Sequence, residues 1–168
     1  MHTRKIIMTQ FIILSLITSF LSGYNNIDKI LIMEKCKNTE YTECMDATYD
    51  YRLNNNNEDI DWEYIETIYV NLCNLSHSEA CQALGSLYAV DNNALLNHSW
   101  EESARYHIKG CQLNNMISCK ALGGMHMLGI FYKKSYIKAL PFLTKACNGK
   151  NISSCKYKEE VEELIENH

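Results

Sequence analysis

The residues in this chain whose type and spacing could do chemistry are, first, its eight cysteines. They form four Cys-x7-Cys pairs, Cys36/Cys44, Cys73/Cys81, Cys111/Cys119 and Cys147/Cys155, and none is left over. Cysteines at such sites hold metals, run thiol redox chemistry or close disulfides. Zinc sites and dithiol redox centres commonly place two cysteines two residues apart, and no Cys-x2-Cys occurs. His-Glu-x-x-His is also missing, so neither a metal nor a cofactor is expected. His77-Ser78-Glu79 resembles the start of a deaminase zinc motif, but no Pro-Cys-x-x-Cys follows it. His107 and His126 sit at apolar-face spacing and read as packed histidines rather than ligands.

Two segments match the Ser-x-x-Lys pattern of acylating serines, Ser135-Tyr136-Ile137-Lys138 and Ser153-Ser154-Cys155-Lys156. With 12 serines and 13 lysines in the chain, about one such match arises by chance, which takes most of the meaning from the pattern. The Ser-Asp-Asn and Lys-Thr-Gly elements that accompany it in serine β-lactamases are absent. Ser135 reads better as a helix N-cap and Ser153 as a turn or first-turn residue. Ser135 and Lys138 stand as the weak catalytic candidates.

Export favours disulfides over thiolates. Arg4 and Lys5 precede an apolar run from Phe11 to Leu21, with Ser22 and Gly23 as small residues for cleavage, so residues 1–23 read as a signal peptide. An even cysteine count behind such a leader points to an oxidising compartment, secreted or periplasmic. Eight cysteines allow 105 pairings, and the regular spacing picks out one, each cysteine with the partner eight residues along. Removing the leader leaves 14 Lys+Arg against 20 Asp+Glu, with no basic stripe, which argues against nucleic acid. No membrane association is expected after cleavage, and a monomer is expected.

The elements that must position these residues recur. First cysteines of successive pairs lie 37, 38 and 36 residues apart, a period of helical repeats. Trp62, Ile65, Ile68, Tyr69 and Leu72 show helical spacing, and no segment reads as a strand. Each cysteine pair is flanked by two helices. They run over about 60–75 and from Ala80 in the second repeat, 100–113 and 116–130 in the third, and 135–147 and 152–167 in the fourth. The first repeat has one helix up to Cys36 and another over about 42–53. Asp91-Asn92-Asn93 marks a helix end. The domain over 24–168 thus holds repeats at about 25–59, 60–97, 98–134 and 135–168. Cys81-Gln82-Ala83-Leu84-Gly85 superposes on Cys119-Lys120-Ala121-Leu122-Gly123. A glycine inside a helix costs about 1 kcal/mol relative to alanine, so its recurrence implies compensation by packing. Gly85 and Gly123 are expected to let each second helix approach the first closely, with Leu84 and Leu122 in the seam.

Ala139-Leu140-Pro141-Phe142-Leu143-Thr144-Lys145-Ala146-Cys147 and Cys81 to Tyr88 resemble the two helices of a Sel-one-like repeat, a relative of the tetratricopeptide repeat. The Cys-x7-Cys placement resembles the secreted Helicobacter cysteine-rich proteins. The resemblance implies an all-α, α/α superhelix (solenoid) of four disulfide-stapled helix-turn-helix repeats. It also implies penicillin binding with slow β-lactamase activity, for which the residues offer no independent support. Solenoids commonly bind along a concave surface lined by one helix of each pair, here the first helices. Tyr64, Asn71, Arg105, Lys109, Lys138 and Lys145 are the ligand-binding candidates. The four basic residues among them form a strip suited to an acidic peptide or carboxylated glycan. The expected partner is a peptide, a protein or a cell-wall fragment, with β-lactams as the enzyme alternative.

Overall fold

The computed structural model describes residues 29–36, 41–56, 59–90 and 99–167, and every regular element among them is a helix. α1 covers residues 29–36. It is followed by α2 (Tyr41–Asn54), α3 (Trp62–Asn74), α4 (Ser78–Tyr88), α5 (Trp100–Gln112), α6 (Met116–Leu128), α7 (Tyr136–Asn148) and α8 (Ile152–Glu166). The leader and the Asp91-Asn92-Asn93 helix stop lie outside the described residues. The chain divides into two compact units, Met1–Ile60 and Asp61–His168. The first holds α1 and α2, and the second holds three helix pairs, α3/α4, α5/α6 and α7/α8. No described helix is long and apolar enough to cross a membrane.

Local chemistry sets the helix ends. Asp61, Ser99, Asn115, Ser135 and Asn151 each accept a backbone N–H from the residue three positions on, satisfying a donor that the first turn leaves unpaired. The Asp61 cap starts α3 at Trp62 rather than at Ile60. Each first helix of the second unit closes with the same turn. His77 N–H donates to Leu72 C=O and Ser76 N–H to Cys73 C=O, and the same two bonds recur at Asn115/Asn114 and Asn151/Lys150. This is a Schellman motif, whose left-handed residue is Ser76 (φ 70°), Asn114 (φ 64°) or Lys150 (φ 67°). The turn is so short that α4 already begins at Ser78.

That turn explains the spacing of seven between cysteines. One cysteine lies next to last in the first helix, and its partner enters the first turn of the second helix. Reversal of the chain between them brings their Cα atoms to 4.6–4.8 Å, within the span of a disulfide. Disulfides join Cys73–Cys81, Cys111–Cys119 and Cys147–Cys155, and in the first unit Cys36–Cys44 joins α1 to α2.

The recurrent glycines serve a different seam from the one expected. A Cβ at Gly85 would lie 2.7 Å from the His107 ring, and one at Gly123 would lie 2.6 Å from Leu143 Cγ and Cδ2. His107 and Leu143 belong to α5 and α7. The close approach is therefore between a second helix and the first helix of the following repeat, not the first helix of its own. Ser103 Oγ donates to Gly85 C=O at 2.7 Å across the α4/α5 seam. Leu84 and Leu122 are fully buried in these seams. Ala104, Leu122, Met125 and Ala146 form one core cluster, and Ala139, Leu143 and Val161 form the next.

Candidate binding face

Shifts of 38 and 36 residues place Tyr64, Thr67 and Asn71 of α3 in register with Glu102, Arg105 and Lys109 of α5 and with Lys138, Pro141 and Lys145 of α7. Thr67, Asn71, Arg105, Lys138 and Pro141 are exposed, while Tyr64, Glu102, Lys109 and Lys145 are half-buried. The core-facing positions between them are the buried ones, so each first helix turns one face inward and leaves this strip outward. All six binding candidates fall within it.

The strip contains one preorganised cation. Arg105 Nε donates to Glu102 Oε2 at 2.9 Å, and its guanidinium lies 4.4 Å above the Tyr106 ring centroid. Chiefly through the bond to Glu102, the guanidinium is held protonated more firmly than usual. Tyr106 stacks on Tyr88 with centroids 5.7 Å apart, and the Tyr88 hydroxyl donates to the Glu66 carboxylate. Burial, then the bond to Glu66, raises the Tyr88 phenol well above its ordinary range. Burial likewise raises Tyr106. Neither phenol ionises near neutral pH, so the cluster supplies fixed dipoles and a positive charge rather than a base.

Two of the expected basic residues are already engaged. Lys145 Nζ donates to Cys111 C=O at 2.7 Å, and Lys109 Nζ donates to Asn74 Oδ1 at 3.2 Å. Both acceptors, the Cys111 carbonyl and the Asn74 side-chain amide, lie in the last turn of the preceding first helix, where the helix dipole favours a cation. These lysines link repeats. Arg105 and Lys138 carry the outward charge of the strip.

Both serine tetrads sit in helix-capping turns. Ser135 Oγ accepts the Lys138 backbone N–H at 3.3 Å, as an N-cap does, and Ser153 Oγ donates to Asn151 Oδ1 at 2.8 Å on an exposed surface. Among the described residues, no three His, Cys, Asp or Glu side chains cluster to hold a metal. His107 is buried against Gly85, with Nδ1 3.4 Å from Ser118 Oγ, and burial lowers its pKa to about 4. His126 lies between the Tyr132 and Phe142 rings, at 4.2 and 5.6 Å, and its Nδ1 has no hydrogen-bond partner among the described residues. It is the counterpart of Tyr88, but Ala104 stands in the register of Glu66 and supplies no acceptor. Burial, then the Lys138 charge, lowers its pKa. In the first unit, a concavity of about 440 Å3 lies between α1 and α2, floored by Ile32, Ala47 and Tyr51 with Lys35 and Asp50 on its wall.

No protein-family model matches the sequence, and no curated protein matches it. Solved structures do match the fold. Helicobacter pylori cysteine-rich protein B aligns with a TM-score of 0.60 at 21% identity, over 79% of this chain and 93% of that one. A Sel1 repeat protein from Oxalobacter formigenes aligns with a TM-score of 0.54 at 16% identity, over 81% of this chain and 62% of that one. The fold is that of a Sel1-like repeat solenoid. In this Sel1-like array the repeats carry their staples at the turns between paired helices and their outward strip on the first helices.

One property of the site escaped the sequence reading. From Ser103 to Lys158 the chain contains ten Lys and Arg and no Asp or Glu. Whole-chain balance conceals this, because acidic residues fill the chain before it and the end of α8 after it. The view of an acidic protein with no basic stripe therefore needs refining for this segment, which runs from α5 after its acidic first turn through α7 to the start of α8.

Proposed function

We propose that this protein is a non-catalytic binding scaffold for an oxidising compartment, periplasmic or extracellular, whose first-helix strip takes an anionic peptide, protein segment or cell-wall fragment. The observation that carries the reading is the strip itself. Arg105, paired with Glu102 and set over the Tyr106 ring, is exposed, Lys138 is exposed one repeat further on, and Thr67 and Asn71 extend the row with neutral hydrogen-bonding groups. Planar guanidinium held in place loses little entropy on pairing with a carboxylate. The acid-free run from Ser103 to Lys158, which begins just after Glu101 and Glu102 of α5, adds a favourable field for such a ligand. Four disulfides suit the compartment.

The test is a binding screen of the disulfide-intact protein against acidic peptides and muropeptides, with Arg105→Glu in parallel. Micromolar binding to an acidic ligand that Arg105→Glu weakens at least tenfold supports the proposal. Binding by neither class, or binding indifferent to Arg105→Glu, rejects it. The β-lactam hydrolysis implied by the family resemblance draws no support from Ser135 or Ser153. Turnover of a chromogenic β-lactam that is lost in Ser135→Ala would replace the scaffold reading with an enzymatic one.

A further inference from the structure

The turn from α6 to α7 presents apolar side chains to water beside lysines. Its backbone is well defined. Gly129 ends α6 in the left-handed conformation (φ 77°) and donates to Met125 C=O, and Ser135 N–H donates to His126 C=O at 2.8 Å. Ile130 and Tyr132 turn inward and pack on the core around Leu122 and Met125, with Tyr132 also stacked on His126. Phe131 stands between these two anchors and turns outward. It holds φ at 61°, a region that bulky side chains rarely adopt, and the residue is 51% exposed. Leu128, at the last residue of α6, is 64% exposed. Lys133 and Lys134 follow directly and are exposed.

Phe131 meets Tyr132 edge-on, with ring centroids 4.8 Å apart, but keeps half its surface in water in a strained conformation, a cost that one ring contact does not offset and the pattern of a contact surface. The shape is a tip, so it suits insertion into a soft surface better than closure around a partner. Two exposed apolar side chains followed by Lys133 and by Lys134, whose ammonium lies 4.9 Å over the Tyr136 ring, match the interfacial region of an anionic bilayer, where apolar groups enter the headgroup boundary and lysines remain with the phosphates. The surrounding acid-free segment leaves no carboxylate nearby in sequence to repel the phosphates. We infer that the α6–α7 turn docks the protein peripherally on an anionic phospholipid membrane through Leu128, Phe131, Lys133 and Lys134. The expectation of no membrane partner rested on the lack of a spanning segment after leader removal, and surface docking requires none. This contact is separate from the first-helix strip and stands or falls without it.

Flotation of the disulfide-intact processed chain (residues 24–168) with phosphatidylcholine vesicles, with and without phosphatidylglycerol, tests the proposal. Loss of the leader keeps its apolar run from driving partition. Binding to the phosphatidylglycerol vesicles alone, weakened by salt, is expected; the chain's net charge is negative, so such binding requires a local basic patch. Lys133→Gln with Lys134→Gln should lower the partition coefficient about 25-fold, from about fivefold for each lysine. Phe131→Asn should lower it about tenfold by removing the inserted ring. Asparagine accepts the left-handed conformation, so this variant keeps its fold and its melting temperature. Equal partition onto neutral vesicles, or no partition onto anionic ones, overturns the inference. So does vesicle binding that Phe131→Asn leaves intact, since the ring is then not inserted; polyglutamate binding in the absence of lipid, lost in Lys133→Gln with Lys134→Gln, would then assign the turn to an acidic protein segment instead. Peptide binding that depends on Arg105 is left unchanged by the Lys133, Lys134 and Phe131 substitutions, so failure here is distinguishable from failure of the proposed ligand strip.

Discussion

Adjacent glycines in α6 provide a sharp test of the inter-repeat seam. A Cβ at Gly124 would meet nothing within 4 Å, whereas one at Gly123 would lie 2.6 Å from two atoms of Leu143. Gly124→Ala therefore gains helix propensity without a steric cost and should stabilise by about 1 kcal/mol. Gly123→Ala gains the same about 1 kcal/mol but must displace Leu143, whose contacts include Cγ rather than a free methyl end alone. Leu143 is itself fully buried beside Ala139 and Val161 and has no open side to move toward. Overpacking of this kind costs about 3 kcal/mol at the upper end of its usual range, leaving a net loss of about 2 kcal/mol. The two neighbours thus differ by about 3 kcal/mol with opposite signs. Urea unfolding of the oxidised proteins, followed by helical circular dichroism, measures the difference directly. If Gly123→Ala proved as stable as Gly124→Ala, the seam would not be packed as described and the account of the Leu-Gly repeat would fail.

Three further outcomes follow from particular residues. His107 is buried neutral with a pKa near 4 against 6.5 in an unfolded chain, so the unfolded state binds more protons between those values. Stability should be full above pH 7 and fall as pH drops through 6.5 toward 4, by about 3 kcal/mol in total, with His126 adding in the same direction. His107→Gln should flatten most of that slope in urea titrations at pH 7.5 and 4.5, and an unchanged slope would reject the assignment. Lys150→Gly should raise stability by about 1 kcal/mol by relieving a left-handed lysine, measured as a higher melting temperature. Replacing Cys147 and Cys155 together by serine should cost about 2.5 kcal/mol, from closure of a short loop in the chain-entropy model. Equal melting temperatures for that double variant and the parent would show the staple to be idle.

How far the sequence was legible depended on whether a feature recurred in register. Four cysteine pairs at a near-constant period placed the helices to within a residue or two, and Ser135 read as the N-cap that it is. The glycine signal was visible but its partner was not. Gly85 is near its own first helix in sequence, yet the atom that fills its space is His107, more than twenty residues on. Lys109 and Lys145 looked like ligand-binding residues because their reach to Asn74 and Cys111 depends on the spacing between repeats, which no single repeat reveals. Ser76 and Lys150 gave no hint of a left-handed turn, since glycine or asparagine would mark that position and only Asn114 does. Charge segregation from Ser103 to Lys158 was present in the letters throughout, but net charge averages it away.

The central claim is that the cystines hold the scaffold while ligand recognition belongs to the outward strip of the first helices. Backbone amide chemical shifts of the oxidised protein, titrated with an acidic peptide or muropeptide selected by screening, test it most directly. The account predicts saturable shifts grouped at Thr67, Asn71, Arg105 and Lys138, with the cystine turns at residues 73–81 and 111–119 unmoved. Shifts confined to the outward face of α4, α6 and α8, or centred on Ser135 or Ser153 with turnover of the ligand, would contradict it.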